Sequence, residues 1–342
     1  MHSTSLFLLL AACAPEQGLT PDPATPGDAP SGDSGDPPTD SGRVGGGDED
    51  TASDTATTDT GTPLPQMTRF VALGDAGTGD DKQRRVAAGI GRVCAEVGCD
   101  FAVYLGDNFY SDGVTSVDDP KWQDVFEAPY ASLDLPFWAV LGNHDYGGNG
   151  GGWEPYRTDA QVAYTQYSAK WHMPDQSWAT QLGIASVFGL DTNAIAWERG
   201  ADQIAWFPGA LDASVGPWRI VLGHHTFVSN GPHGNAGRWD GGNGGSVFKS
   251  FFDAELCGKV DLYLGGHDHS LQWPVSPCAG TELVVTGAGG KTSSVSGGND
   301  AWFESAQLGF FVVELRADAW TGTFYDADGN ALYTREVPKA RR

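Results

Sequence analysis

Positive charge is scarce in this chain. Against 44 acidic residues it carries 20 Lys and Arg, for a formal net charge of −24 over 342 residues. Phosphate backbones recruit basic surfaces, so no nucleic acid is expected as a partner. Long hydrophobic runs are also missing: the apolar stretch at residues 6–12 is far too short to span a bilayer. Cysteine is rare, with five in all, and no C-x-x-C or Cys/His zinc spacing occurs. Residues 14–65 have no aromatic side chain, and their charged residues are eleven acids against Arg43. Such a segment cannot bury enough apolar surface to offset its ordering entropy. It is expected to be a disordered acidic tether rich in Pro, Gly, Ser, Thr and Asp. All twelve Trp, all ten Tyr and fifteen of the sixteen Phe follow residue 65. The folded part is therefore 66–342, long enough for one sizeable core.

The N-terminal run reads as the core of a secretory signal. Leu10-Ala11-Ala12-Cys13 is similar to a bacterial lipobox, which makes 1–13 a signal segment and Cys13 a lipidated mature N-terminus. No Lys or Arg precedes the run, and an ordinary cleaved signal is the alternative. The expectation is export from a bacterial cell, as an envelope lipoprotein or a secreted protein, with membrane contact only through a lipid at Cys13. Four cysteines remain: Cys94, Cys99, Cys257 and Cys278. An even count in an exported chain suggests disulfides. Of three pairings, Cys94–Cys99 with Cys257–Cys278 is favoured because each closes a short local segment; buried free thiols are the alternative.

Beyond residue 66 one short pattern recurs. An apolar run ends in Leu-Gly and then a potential metal donor: RFVALGD with Asp75, FAVYLGD with Asp107, FWAVLGN with Asn143, RIVLGH with His224 and VDLYLGGH with His267. Each run suits a strand buried on both faces. Helix-like segments at 80–97 and 201–214 lie between such runs, which implies an α/β fold with largely parallel sheets. In such folds ligands collect at the carboxyl ends of strands. Residues 309–335 instead read as antiparallel strands, with Asp328-Gly329 as a turn. Residues 145–165, glycine-rich at first, are expected to form a loop over the site, and 241–245 another flexible stretch.

The donor set is Asp75, Asp107, Tyr110, Asn143, His224, His267 and His269. Carboxylates, imidazoles, a phenol and an amide oxygen suit a hard trivalent ion beside a borderline divalent one. His267 and His269, at i and i+2 of an extended stretch, would point the same way. Singly, each Asp or Asn after Leu-Gly is more often a turn or cap residue, and Tyr110 a packed core tyrosine. The joint pattern reverses those odds.

GDAG (74–77), GDNFY (106–110), GNHD (142–145), GHH (223–225) and GHDH (266–269) resemble, in order, the five blocks of purple acid phosphatases. These are the iron-containing branch of the calcineurin-like metallophosphoesterases, and the likeness is greatest to the small tartrate-resistant type, over nearly all of 66–342. The resemblance implies a layered metallophosphoesterase sandwich of two mostly parallel or mixed β-sheets flanked by helices. It also implies Fe(III) held by Asp75, Asp107, Tyr110 and His269, and a divalent Fe, Zn or Mn held by Asp107, Asn143, His224 and His267. Tyr110 would give the iron form its colour. His144 and His233 match the family's substrate histidines. The implied activity is that of a binuclear acid phosphatase hydrolysing phosphomonoesters of small molecules by attack of a metal-bound hydroxide. One of the two histidines would donate the leaving-group proton, which imidazole does well at mildly acid pH. Ala76 and His225 depart from the family, which usually has aromatic residues at both positions; His225 is also a candidate for touching substrate.

Other features read as structural. His172 has no partner, and Asp145 is unassigned, with the option of orienting the neighbouring imidazole. GAGGKTSS (287–294) lacks the glycine that a nucleotide-binding P-loop needs, since residue 285 is Val. Its glycines are expected to let the chain pass close to the metals. Trp153 and Trp239, in glycine-rich surroundings, are candidates for a pocket rim. The rival functions are a phosphodiesterase or nucleotidase on the same site and a surface protein that binds phosphorylated ligands without turnover.

Overall fold

The computed structural model describes residues 65–239, 243–278 and 280–340. The signal segment 1–13 with Cys13, the tether up to residue 64, and residues 241 and 242 lie outside the described residues. In chain order the first strands are β1 (Thr68–Leu73), β2 (Phe101–Leu105), β3 (Phe137–Val140), β4 (Trp171–His172), β5 (Trp178–Leu182), β6 (Ala185–Gly189) and β7 (Trp218–Leu222). They are followed by β8 (Leu262–Gly265), β9 (Leu271–Pro274), β10 (Glu282–Thr286), β11 (Ala301–Ser305), β12 (Gly309–Leu315), β13 (Ala319–Asp326) and β14 (Ala331–Pro338). The helices are α1 (Asp81–Val97), α2 (Pro155–Tyr164), α3 (Thr192–Ala196), α4 (Ala201–Asp212) and α5 (Ser246–Glu255).

The strands form two seven-stranded sheets, β14-β13-β12-β1-β2-β3-β4 and β11-β9-β10-β8-β7-β6-β5. In the first, β1 to β4 are parallel and β12 to β14 antiparallel; the second has a parallel centre, β10-β8-β7-β6, with antiparallel strands on both flanks. This is the layered, mixed sandwich implied by the sequence. Alternation along β1 shows how the layers are specified. Phe70 and Ala72 enter the core between the sheets, while Val71 and Leu73 enter a second core beneath α1. A strand whose two faces both meet apolar neighbours must be apolar throughout, and all five residues of β2 are buried. The outer face of the second sheet is covered by α4 and α5 through Phe207, Leu211, Phe248 and Phe252.

Helix α1 starts where Asp80 accepts from Lys82 N and Gln83 N and stops at Gly98, with φ +76°. Its buried face, Val86, Ile90 and Val93 among others, follows the helical repeat. Both expected disulfide pairs are present, Cys94–Cys99 at the end of α1 and Cys257–Cys278 near the end of α5. The loop expected over 145–165 is only half a loop. After short 3₁₀ turns at His144–Tyr146 and Gly148–Gly150, Pro155 opens α2, because its fixed φ suits the first helical position. The expected C-terminal meander is observed as β12, β13 and β14. Among the described residues no helix is long and apolar enough to cross a membrane.

Candidate metal centre

Strands β1, β2, β3, β7 and β8 all point their carboxyl ends at one place, and their following residues meet there. Asp75 follows β1, Asp107 follows β2, Asn143 follows β3, His224 follows β7 and His267 follows β8. Asp75, Asp107 and His267 have φ of +56°, +52° and +66°. These left-handed turns aim side chains inward that a continuing strand would send elsewhere. They also correct the picture of His267 and His269 as an extended pair. The stretch bends at His267, while the two imidazoles still serve different parts of the cluster, as expected.

The backbone is packed as tightly as the donors. A Cβ on Gly142 would sit 2.1 Å from Asp107 N and 2.2 Å from its Oδ1. One on Gly287 would sit 2.6 Å from Asp75 Oδ2, so the 287–290 glycines do let the chain pass close to the donors.

The donors fall into two groups joined by Asp107. On one side, Tyr110 Oη lies 2.8 Å from Asp107 Oδ2, 3.3 Å from Asp75 Oδ1 and 3.2 Å from His269 Nε2. On the other, His224 Nε2 lies 3.4 Å from Asp107 Oδ1, 2.9 Å from Asn143 Oδ1 and 3.1 Å from His267 Nδ1. Asp75, Asp107 and His224 are fully buried or nearly so, and atoms of all three lie within 4.8 Å of one another.

This donor set fits a cation. His224 Nδ1 faces the carbonyl of Leu105 at 2.9 Å, which can only accept, so Nδ1 carries the proton. Nε2 of a neutral His224 then presents a lone pair to two oxygens that are also acceptors. Asn143 donates through Nδ2 to Gly150 O at 3.1 Å, which leaves its Oδ1 turned to the cluster. Lone pairs converging in a buried space are stabilised by positive charge at their focus.

The buried carboxylates favour positive charge at this focus, whether a proton on His224 or a metal ion. Burial alone would depress the His224 pKa, but Asp107 and Asp75 outweigh it and raise it. Burial would raise Asp107, yet His224 and His144 hold it below the usual carboxylate value. Burial, reinforced by Asp107 and Asp75, pushes the Tyr110 hydroxyl well up. Burial and the neighbouring imidazoles push His267 well down, which keeps it a neutral donor.

His144 and His233 flank the cluster. His144 donates its backbone N–H to Asp107 Oδ1 at 3.0 Å and faces Ser111 O with Nδ1 at 2.7 Å, leaving Nε2 4.0 Å from Asp107 Oδ2. His233 stacks on His267 with ring centres 4.0 Å apart. His225 is buried, with Nδ1 3.0 Å from Thr192 Oγ1, and stacks on Trp239. His172 stacks on Trp138, away from the cluster.

Two further residues shape the site. Asp268, between the two histidines, points the other way, takes the Ser229 hydroxyl and holds His233 N at 3.0 Å. Its alternation with His267 and His269 was the available signal. Lys291 places Nζ 3.6 Å from the centre of the Tyr110 ring. Asp145 does not orient the His144 ring; it accepts from the backbone of Gly142, Asn108 and Phe109 and from Gln161, and so fastens the β2 and β3 turns together. Burial and the nearby Asp107 charge raise its pKa to about 7.

Beside the donors lies a cleft of about 660 Å³, lined by Asn143, His225, His233 and His267 and by Trp197, Arg199 and Trp239. A larger cleft of about 800 Å³ surrounds Phe227, Lys249 and Pro277 and holds none of the donors.

Residues 68–271 match the family model described as calcineurin-like phosphoesterase. The chain is 29% identical to purple acid phosphatase 3 of Arabidopsis thaliana, over 77% of this chain and 76% of the relative. It is 28% identical to human tartrate-resistant acid phosphatase type 5, over 80% of this chain and 92% of the relative. In fold it is similar to GAP50, described as the anchor in the inner membrane complex of Plasmodium, with TM-score 0.67 at 22% identity, over 81% of this chain and 90% of that one. PhoD has TM-score 0.52 at 14% identity, over 82% of this chain and 73% of that one.

Proposed function

From the premise that the chain belongs to the calcineurin-like phosphoesterase family, we propose that it is a binuclear-metal acid phosphatase acting on phosphomonoesters. The observation that carries this reading is the placement of Asp107, whose two oxygens face two separate donor groups. Asp75, Tyr110 and His269 with Asp107 would hold Fe(III); Asn143, His224 and His267 with Asp107 would hold divalent Fe, Zn or Mn. Oxygen-rich donors with a phenolate suit the harder ion, and imidazoles with an amide suit the borderline one. When bound, the ions supply Lewis acidity and neutralise charge on the phosphoryl group.

The rest belongs to the chain. Asp107 sets the spacing of the two donor groups, and its own orientation is fixed by the His144 N–H. Asp145 clamps the turns that carry Asp107 and Asn143. His144, with Nδ1 on Ser111 O, keeps Nε2 toward the centre, where it can contact a phosphoryl oxygen or hand a proton to the leaving alcohol. His233, held through its backbone by Asp268, lies on the cleft side and serves the same two purposes. The presence of purple and tartrate-resistant acid phosphatases among the relatives supports the phosphatase reading.

Full-length protein loaded with iron and zinc should hydrolyse a phosphomonoester far faster than a phosphodiester at mildly acid pH. Asn143→Ala should lose the divalent ion, measured by metal analysis, together with turnover. Preference for the diester would replace the monoesterase reading with a phosphodiesterase. Unchanged metal content in Asn143→Ala would remove that residue from the site.

A further inference from the structure

The cleft beside the donors has an outer half that the chemistry above leaves unused. Its inner wall carries Asn143, His233 and His267; its outer wall carries Trp197, Glu198 and Arg199. These three consecutive residues are all exposed, and Trp197 shows 37% of its surface. They follow α3, and Glu198 takes φ +61°. A non-glycine residue in that region is held against local strain, and such residues collect at ligand sites.

The Trp197 ring is braced from behind. It lies 5.3 Å from Trp153, which stacks on Tyr146 at 4.2 Å and 12°. The Tyr146 hydroxyl donates to Asp191, the N-cap of α3 itself. The exposed indole is thus fixed by contacts that return to its own helix. The Arg199 guanidinium lies 4.7 Å over Trp153 and makes no ion pair among the described residues. Glu198 Oε1 receives Asn243 Nδ2 at 3.3 Å, and its second oxygen is left for another donor.

A rigid indole, a neighbouring cation and an acceptor carboxylate together suit a flat, nitrogen-bearing aromatic ring. The ring stacks on the indole, whose Trp153 brace is held in turn by the Arg199 cation, and a ring N–H or amine donates to the carboxylate. We propose that the outer cleft is a leaving-group subsite selecting phosphomonoesters whose alcohol carries a heteroaromatic base, as a nucleoside 5′-monophosphate does. This rests on the monoesterase reading above.

AMP and ribose 5-phosphate present the same primary phosphate ester and differ by the adenine ring. The ratio of their kcat/KM values therefore reports the subsite. The full-length, metal-loaded protein should favour AMP by about tenfold, within the range of one base–aromatic stack. Trp197→Ala should bring the ratio towards one, and Trp197→Phe, which keeps a stacking face, should retain most of it. Adenosine has no phosphate to cleave; its calorimetric affinity should fall about tenfold in Trp197→Ala. Equal kcat/KM for the two esters, or a ratio indifferent to Trp197→Ala, would overturn the subsite and leave the monoesterase reading standing. Hydrolysis of neither ester would overturn the monoesterase reading instead. The adenosine titration would then decide the subsite alone, and absent or unaltered binding would overturn it.

Discussion

The Lys291 ammonium lies 3.6 Å from the centre of the Tyr110 ring, on the face of its π-system. That charge lowers the energy of electrons on the phenol oxygen. If Tyr110 binds Fe(III) as phenolate, the gap between donor and metal orbitals widens. The oxidised iron protein should show a visible band, Tyr110→Phe should abolish it, and Lys291→Met should move it to longer wavelength. A band at the same wavelength in Lys291→Met would show that the ammonium does not act on the phenolate. Tyr110 was legible in the sequence because it stands three residues after Asp107 in GDNFY. Lys291 was not: its glycines announced a close passage, but nothing in GAGGKTSS says which ring the passage meets. Trp197 was hidden in a similar way. Its role depends on Trp153 and Tyr146, which reach it only through folding.

At the level of strands and helices, the readable features were those with a local cause. Asp80 and Gly98 bound α1, and five repeats of Leu-Gly-donor marked the strand ends correctly. Helix α2 is hard to see in the sequence because its apolar repeat is short and the preceding glycines dominate the segment. Beyond the C-terminal meander, which strands pair was not legible in the sequence. Arg69 of β1 lies opposite Glu314 of β12 in register, with Nε 3.1 Å from Glu314 Oε2. Burial raises the Glu314 pKa, but hydrogen bonds and charge from Arg69 and Arg316 outweigh it and hold it below the usual carboxylate value. A carboxyl lowered by folding contributes stability that is present above its unfolded pKa and lost as pH falls through the folded one. Glu314→Gln should cost about 1 kcal/mol at neutral pH. It should also flatten the acid side of a Tm profile taken between about pH 3 and pH 7. An unchanged slope would show that this cross-strand pair does not contribute to acid unfolding.

On the scale of the whole molecule, the donors join what the core keeps apart. Asp75, Asp107 and Asn143 come from the first sheet and His224 and His267 from the second. Ions bound there would tie the sheets across their carboxyl rim. A ligand that binds only the folded state stabilises it by mass action, by about 2.7 kcal/mol at a hundredfold excess over Kd. Chelation should therefore lower Tm, and readdition of iron and zinc should restore it. Identical melting of the chelated and loaded protein would deny the two sheets a shared centre. The left-handed backbone at Asp75, Asp107 and His267 has a further consequence. Those three positions favour glycine on conformational grounds; against it stand the donor atoms and, at Asp75 and Asp107, the backbone N–H groups of His267 and His144 that their carboxylates accept. A descendant of this chain released from selection for hydrolysis would drift toward glycine there first. It would keep the sandwich while falling silent, so a glycine at 75, 107 or 267 would mark a centre given up.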